Sequence, residues 1–260
     1  MNCYIYKRNL IQLFYIFIMF EDYPKKRLPL SKEIENIYIK HYKSNRNGST
    51  AASGIAKKME QWLHKKVSED VDKIHSKKTL EIGAGTLNQL KYEKSSHYDI
   101  IEPFEALYKD SPFLKEINTI YEDIDDIDLD KKYDRITSVA TFEHILDLPK
   151  VVAKSCLLME YNGTLRTSIP NEGTFLWTLG WRLTTSIEFK LKYGLDYANL
   201  MKHEHVNNAN DVDEILNYFY GSNICKVFGI SKNIGFYRFY ESKNPNIERA
   251  KAYLKSISTN

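Results

Sequence analysis

TLEIGAGTLN, Thr79 to Asn88, is the stretch that decides how this chain reads. Thr79 to Ile82 reads as a short buried strand that carries an acid, Glu81, and runs directly into a Gly-x-Gly turn, Gly83-Ala84-Gly85. Glycine has no Cβ and tolerates positive φ, so backbone at such a turn can approach a ligand closely. In an open α/β sheet, ligands of nucleotide type bind outside the carboxyl ends of the strands, where this turn would sit.

Outward from that turn the pattern alternates between strands and helices. YDIIE (98–102), INTIY (117–121), RITSVA (135–140) and TLRTSI (164–169) read as further strands. A helix is expected near Pro103 and another over 148–159, the latter followed by a turn at Asn162-Gly163. Repeated βα units with short connections imply a mostly parallel sheet with helices on both faces. After a helix over 211–220, CKVFGI and FYRFYE read as two strands joined by a short loop, so one edge is expected to be antiparallel; a small helix closes the chain.

Three regions stand apart from this core. Residues 1–20 contain an apolar run, Leu10 to Phe20, too short to span a bilayer and followed by no small-residue cleavage site. No stable membrane insertion is expected, and three readings of the run stay open: translation from Met19, which would remove it, a short hydrophobic anchor or packing helix, and a secretion signal. Residues 21–75 read as an N-terminal helical extension. It holds a short helix over 31–42, a polar loop over 41–50, and an amphipathic helix from Ser53, in which Met59, Trp62, Leu63, Val67, Val71 and Ile74 recur at three- and four-residue steps. Residues 76–260 form the main domain, interrupted by an apolar, Trp- and Tyr-rich insertion over 171–210 that suggests a lid or an acceptor wall.

The totals narrow the function. The chain is 43% hydrophobic and 27% charged, enough apolar content for a sizeable core. A net charge of +3 does not argue for a nucleic-acid partner. Three distant cysteines with no CxxC pair support neither a disulfide framework nor a cysteine metal site, and fit a reducing cytoplasm.

Acids fall where a nucleoside would need them. Glu102 ends the second strand about twenty residues after the turn, where a carboxylate can take ribose hydroxyls. Asp123 follows the third strand within an acidic run, EDIDDIDLD, in which Asp125 is an alternative. The fourth strand ends in SVATFEHILDLP, facing the point where strand order would reverse. The set EIGAGTLN, IIEP, YEDI, YDRITSVATFEHI and NGTLRTSIP, in this order, resembles the class I S-adenosylmethionine-dependent methyltransferases. The resemblance implies a Rossmann-like sheet of seven strands with the last antiparallel, and S-adenosyl-L-methionine as cofactor. It implies cofactor contacts at Glu81, Gly83, Ala84, Gly85, Glu102, Pro103, Asp123, Ile124 and Ala140. Leu87 departs from it, standing where the family often has a third glycine.

A sulfonium methyl is already electrophilic, so the chain's task is to align an acceptor and exclude water. Glu143 and His144, just past strand four, are the candidate catalytic groups. Trp177, Arg182, His203 and His205 in the insertion are candidates for the acceptor or lid side. A His-x-His pair can ligate a metal, but the sequence places no third ligand beside His203 and His205, so no metal is expected. The absence of an Asn/Asp-Pro-Pro-aromatic run and of a Pro-Cys pair points away from nucleic-acid acceptors, towards a small molecule or a sugar. Two other readings remain: an NAD(P)-binding oxidoreductase, disfavoured because Asn88 stands where G-x-G-x-x-G needs glycine, and a catalytically inactive subunit that binds the methyl donor.

Overall fold

The computed structural model describes residues 19–30, 32, 54–71, 77–93, 97–183, 186, 189–190, 193–195 and 197–258. The short helix expected over 31–42, the loop over 41–50, the Ser53 cap and most of the apolar N-terminal run lie outside them. The strands are β1 (Lys78–Ile82), β2 (His97–Ile101), β3 (Thr119–Tyr121), β4 (Tyr133–Val139), β5 (Met159–Pro170), β6 (Tyr220–Gly229) and β7 (Gly235–Pro245). The helices are α1 (Gly54–Val67), α2 (Glu105–Tyr108), α3 (Leu148–Leu158), α4 (Phe175–Leu183), α5 (Tyr197–Glu204), α6 (Ala209–Phe219) and α7 (Ile247–Ser258).

The strands form one seven-stranded sheet in the order β3-β2-β1-β4-β5-β7-β6. β1 to β5 pair in parallel, and β7 is antiparallel to both β5 and β6, as the closing hairpin leads one to expect. Successive connections run outward from β1 to β2 and β3, then return across β1 to β4. The order therefore reverses between β1 and β4, and a crevice opens at their carboxyl ends.

The register separates two faces. Leu80, Ile136 and Leu165 line one, where α3, α6 and α7 bury Val152, Cys156, Val212, Leu216, Phe219 and Tyr253. Burying an apolar side chain of this size contributes roughly 1.5–3 kcal/mol. α6 begins at a capping box of Asn208 and Asp211, two residues earlier than its apolar pattern suggests. Phe20 joins this core and stacks on Phe219 at 5.8 Å between centroids.

Glu81, Thr137, Arg166 and Glu241 share the other face, with Arg135 one pair further along. This face is polar, and α1 covers it with Leu63 and Val67 buried. Arg135 and Arg166 are both almost fully buried, and they end the helix. Arg135 Nη2 donates to the Val67 carbonyl at 2.7 Å, and Arg166 donates to the carbonyls of Val67 and Lys66, each at 2.8 Å. The orphan carbonyls of the last turn thus find buried donors. The chain then makes one 3-10 turn, Ser68–Asp70, and Val71 is extended, so the helix ends before the last part of the predicted run, of which Ile74 lies outside the described residues. Asp70 pairs with both guanidinium groups, Glu93 takes Arg135 in a two-pronged pair at 2.7 and 2.9 Å, and Glu241 pairs with Arg166.

One local expectation fails. Asn162-Gly163 does not precede the fifth strand but lies inside it, in a bulged stretch where Met159 pairs with Tyr133 and the next register partner of Arg135 is Thr164. Glu160, Tyr161 and Asn162 are exposed there, so the polar residues mark a bulge rather than a strand boundary. Among the described residues, no helix is long and apolar enough to cross a membrane.

Arg135→Met should destabilise the fold by about 3–5 kcal/mol in urea unfolding, because Glu93 is left charged and buried without its partner. Adding Glu93→Gln should recover part of that loss; strictly additive losses would show that the pair is not coupled.

Candidate functional site

The crevice is built on left-handed backbone. Gly83 has φ +71° and Gly85 φ +53°. The Gly83 N–H donates to the Ile101 carbonyl at 2.9 Å, and a Cβ on Gly83 would lie 2.3 Å from Thr141 Cγ2, so only glycine fits. Gly85 differs: a Cβ there would meet nothing within 4 Å, so this glycine opens onto free space. Leu87, where the family often has glycine, adopts the left-handed conformation glycine would favour, φ 64°. Its side chain is fully buried with Ala84, Leu90, Tyr98 and Ile100, and this packing holds the strained residue in place. Across the crevice, exposed Ala140 is also left-handed, φ 49°, and its N–H donates to the Ser168 carbonyl at 2.7 Å. The Thr141 hydroxyl lies within hydrogen-bond distance of the Val139 and Gly83 carbonyls, at 3.1 and 3.3 Å.

Each predicted acid has a defined place. The buried Glu102 carboxylate accepts the Gly85 N–H at 2.8 Å through one oxygen and the Phe104 N–H at 3.0 Å through the other. Pro103 and Phe104 beside it are exposed. Glu81 is buried and accepts the Tyr98 hydroxyl at 2.9 Å. Burial pushes its carboxyl up to about 8, with the Tyr98 hydrogen bond opposing the rise. Asp123 caps a 3-10 turn over Ile124–Asp126: its Oδ1 accepts the Asp125 N–H at 2.8 Å, and Ile124 is buried behind it. Asp125, the alternative, is engaged by Lys150 and Lys154.

A second cluster forms past β4. Glu143 is 2% exposed, and its Oε2 has no hydrogen-bond partner. Burial pushes its carboxyl up to about 7, against the pull of His144. His144 Nε2 lies 3.8 Å from Glu143 Oε1, and the rings of His144 and His205 are 4.9 Å apart. His205 Nδ1 sits 3.0 Å from Glu172 Oε2, the oxygen that also accepts the Trp177 indole N–H. Trp177 packs edge-on against Tyr237. His203 turns instead towards the Leu28 carbonyl, and Arg182 is exposed on α4.

The sequence reading missed Thr141, Glu172 and Tyr237. Glu172 carried a weak signal, since it lies two residues past the end of β5, at the same sheet edge as Glu102 and Glu143. Thr141 and Tyr237 carried none.

Two measurements follow from these contacts. A carboxyl raised from the ordinary range to about 8 binds its proton more tightly when folded. Its stabilising share is complete below the unfolded pKa of about 4.3 and is lost as pH rises towards 8. The melting temperature should therefore fall across this window, with a shallower fall in Glu81→Gln; equal slopes would place the effect elsewhere. Leu87→Gly should be more stable than Leu87→Ala by about 1 kcal/mol, since glycine relieves the left-handed strain that alanine keeps. The usual order, with glycine the worse by about 0.5–1 kcal/mol, would contradict the strain argument.

No family model matches the chain. Over 142 residues, 50% of its length, it is 31% identical to Malonyl-[acyl-carrier protein] O-methyltransferase 1 of Ilyobacter polytropus. It spans about half the length, 51%, of that curated relative. Among solved structures, a SAM-dependent methyltransferase from Thermotoga maritima superposes with a TM-score of 0.51 at 13% identity, over 82% of this chain and 100% of that one. An O-methyltransferase family protein from Burkholderia thailandensis gives 0.50 at 10% identity, over 94% of this chain and 70% of that one. With this strand order, the antiparallel β7 and the glycine turn at the reversal point, the chain has the fold of the class I S-adenosylmethionine-dependent methyltransferases.

Proposed function

We propose that this chain is an enzyme that transfers the methyl group of S-adenosyl-L-methionine, by in-line displacement, to a small-molecule or sugar acceptor carrying a hydroxyl. The Glu102 carboxylate carries the reading. Each of its oxygens takes one backbone N–H, from Gly85 or Phe104, and keeps a lone pair for a ribose hydroxyl. The residues fit the donor: the side of Gly85 that lacks a Cβ opens onto free space beside that carboxylate. When bound, the sulfonium supplies an electrophilic methyl group.

The backbone of Gly83, Ala84 and Gly85 meets the methionine part, with Glu81 bracing the turn from within. The capping bond of Asp123 uses Oδ1, which leaves Oδ2 for a base amino group, next to Ile124. Pro103 and Ala140 flank the crevice on either side. Glu143 and His144 meet the acceptor and govern its proton. His144 Nδ1 lies 2.8 Å from the Glu204 carbonyl, which can only accept, so Nδ1 carries the proton and Nε2 keeps its lone pair. Trp177, Arg182 and His205 form the wall of the acceptor side, while His203 fastens the wall to the N-terminal segment through Leu28. The Ilyobacter relative is named for O-methylation, which agrees with a hydroxyl acceptor. We place the enzyme in the cytoplasm, where the unpaired thiols of Cys156 and Cys225 would stay reduced.

Calorimetry with S-adenosyl-L-methionine and with NAD(H) tests the donor. Micromolar binding of the former, lost in Glu102→Ala, is expected; binding of NAD(H) alone would replace this reading with an oxidoreductase. On a panel of hydroxylated acceptors, His144→Ala should keep donor binding and lose at least about tenfold in turnover. Unchanged turnover would remove His144 from the acceptor side, and donor binding with no turnover in the unaltered protein would point to an inactive subunit.

A further inference from the structure

We infer that Glu143, His144 and His205 form a binding site for one divalent first-row metal ion, with zinc the best match. One ligand atom from each of the three residues lies within 4.8 Å of the others. In a tetrahedral zinc site, bonds of about 2.0–2.1 Å set nitrogen and oxygen ligands roughly 3.4 Å apart, so the cluster closes around an ion with about 1 Å of side-chain movement.

Each imidazole has its Nδ1 engaged, which leaves its Nε2 for an ion. The Glu204 carbonyl holds the His144 Nδ1 proton at 2.8 Å, which leaves the lone pair on Nε2, 3.8 Å from Glu143 Oε1. The Glu172 carboxylate, itself fixed by the Trp177 indole, stands 3.0 Å from His205 Nδ1 and leaves that ring's lone pair on Nε2. A carbonyl or carboxylate behind each imidazole is the arrangement that fixes metal-binding histidines. The third ligand supplies an independent observation: Glu143 is 2% exposed and its Oε2 has no hydrogen-bond partner, an expensive arrangement that an ion would relieve. Two imidazoles and one carboxylate suit zinc and leave a fourth position open.

His205 also lines an open cleft of about 400 Å³ edged by Lys25, Lys26 and Lys202. An acceptor oxygen entering there can fill the open position. Its hydroxyl proton then leaves to water, because the ion lowers the hydroxyl's pKa, and the His144 lone pair serves the ion instead of the proton. Only this role rests on the proposed methyl transfer; ion binding does not.

Zinc titrated calorimetrically into the full chain without donor should bind one ion per chain. Cobalt(II) in the same site should give the intense visible absorption of a tetrahedral centre. Glu143→Gln and His205→Gln should abolish stoichiometric binding, Glu172→Gln should weaken it about 10–100-fold, and His203→Gln should leave it unchanged. Circular dichroism reports whether each variant folds; if Glu143→Gln does not, the Glu172 and His205 variants decide. The absence of stoichiometric binding, its survival in folded His205→Gln, or an equal loss in His203→Gln would overturn the site. Donor binding is measured on the same samples. Zinc without donor binding keeps the metal site and removes the methyl-transfer reading, and donor without zinc does the reverse.

Discussion

The buried Arg135 guanidinium is the constraint on which most of this structure depends. It sits fully inside, on the polar face of the sheet, and it ties β4 to two segments far off in sequence, the end of α1 and the stretch after the glycine turn. Asp70 belongs to the turn after α1, Glu93 to the segment that follows the glycine turn, and Val67 ends α1 itself. A buried guanidinium is tolerated only when its donors are satisfied and its charge is balanced, because the desolvation cost is several kcal/mol. Two carboxylates and a helix-terminal carbonyl, where the helix dipole is negative, meet that demand together. Arg166, one strand over, repeats the solution with Asp70, Glu241, Val67 and Lys66. The helix is thereby stopped and docked on this face by buried polar contacts.

The same network reaches the crevice. Glu93, held by Arg135, accepts from Gln89, and Gln89 in turn bonds to His64 on α1. Gln89 follows immediately after the strained Leu87 and Asn88. Glu81 and Tyr98 make the next buried pair on that face. The left-handed turn at 83, 85 and 87 is thus backed by a buried polar network and a small apolar cluster; the two glycines take that conformation freely, and the packing permits it at Leu87, where it costs of order 1–3 kcal/mol. Ala140 on the opposite side is held differently, by a ladder bond to Ser168 and by Thr141 lying against Gly83.

Most of what depended on local pattern was legible in the sequence. Buried parallel strands read as near-continuous apolar runs, so TLEI and YDIIE were visible, and with them the strand ends that carry Glu81 and Glu102. The antiparallel edge showed in the short spacing of the last two strands. What stayed hidden depended on contacts across tens of residues. The stop of α1 at Val67 is imposed by arginines 68 and 99 positions away, and no spacing rule within the helix announces it. Leu87 looked like a departure from a glycine pattern, yet its backbone keeps the glycine conformation and only the side chain has found another use. Asp123 sits where the pattern put it, but its carboxylate is half engaged in capping its own turn, a local bond that competes with any ligand. His203 and His205 read as a pair, and the fold separates them. Alternate residues at the end of α5 point to different neighbours, so His205 meets Glu172 while His203 meets Leu28.

The loop from Ala140 to His144 makes one unit of what would otherwise be two half-sites. Its first residues are bound to the glycine turn through Thr141 and Gly83. Its last residues are bound to the insertion, since the Glu143 carbonyl accepts the N–H groups of both Val206 and Asn207, and Asn207 returns two bonds to the carbonyls of Phe142 and Ile145. The N-terminal strap completes the enclosure, with the Tyr23 hydroxyl on Asn207 and Arg27 on the His144 carbonyl. The same loop thus ties the insertion, through Glu143, His144 and Thr141, to Gly83, which has no room for a side chain. The glycine turn and the insertion are joined through five consecutive residues, without any long-range pathway between them.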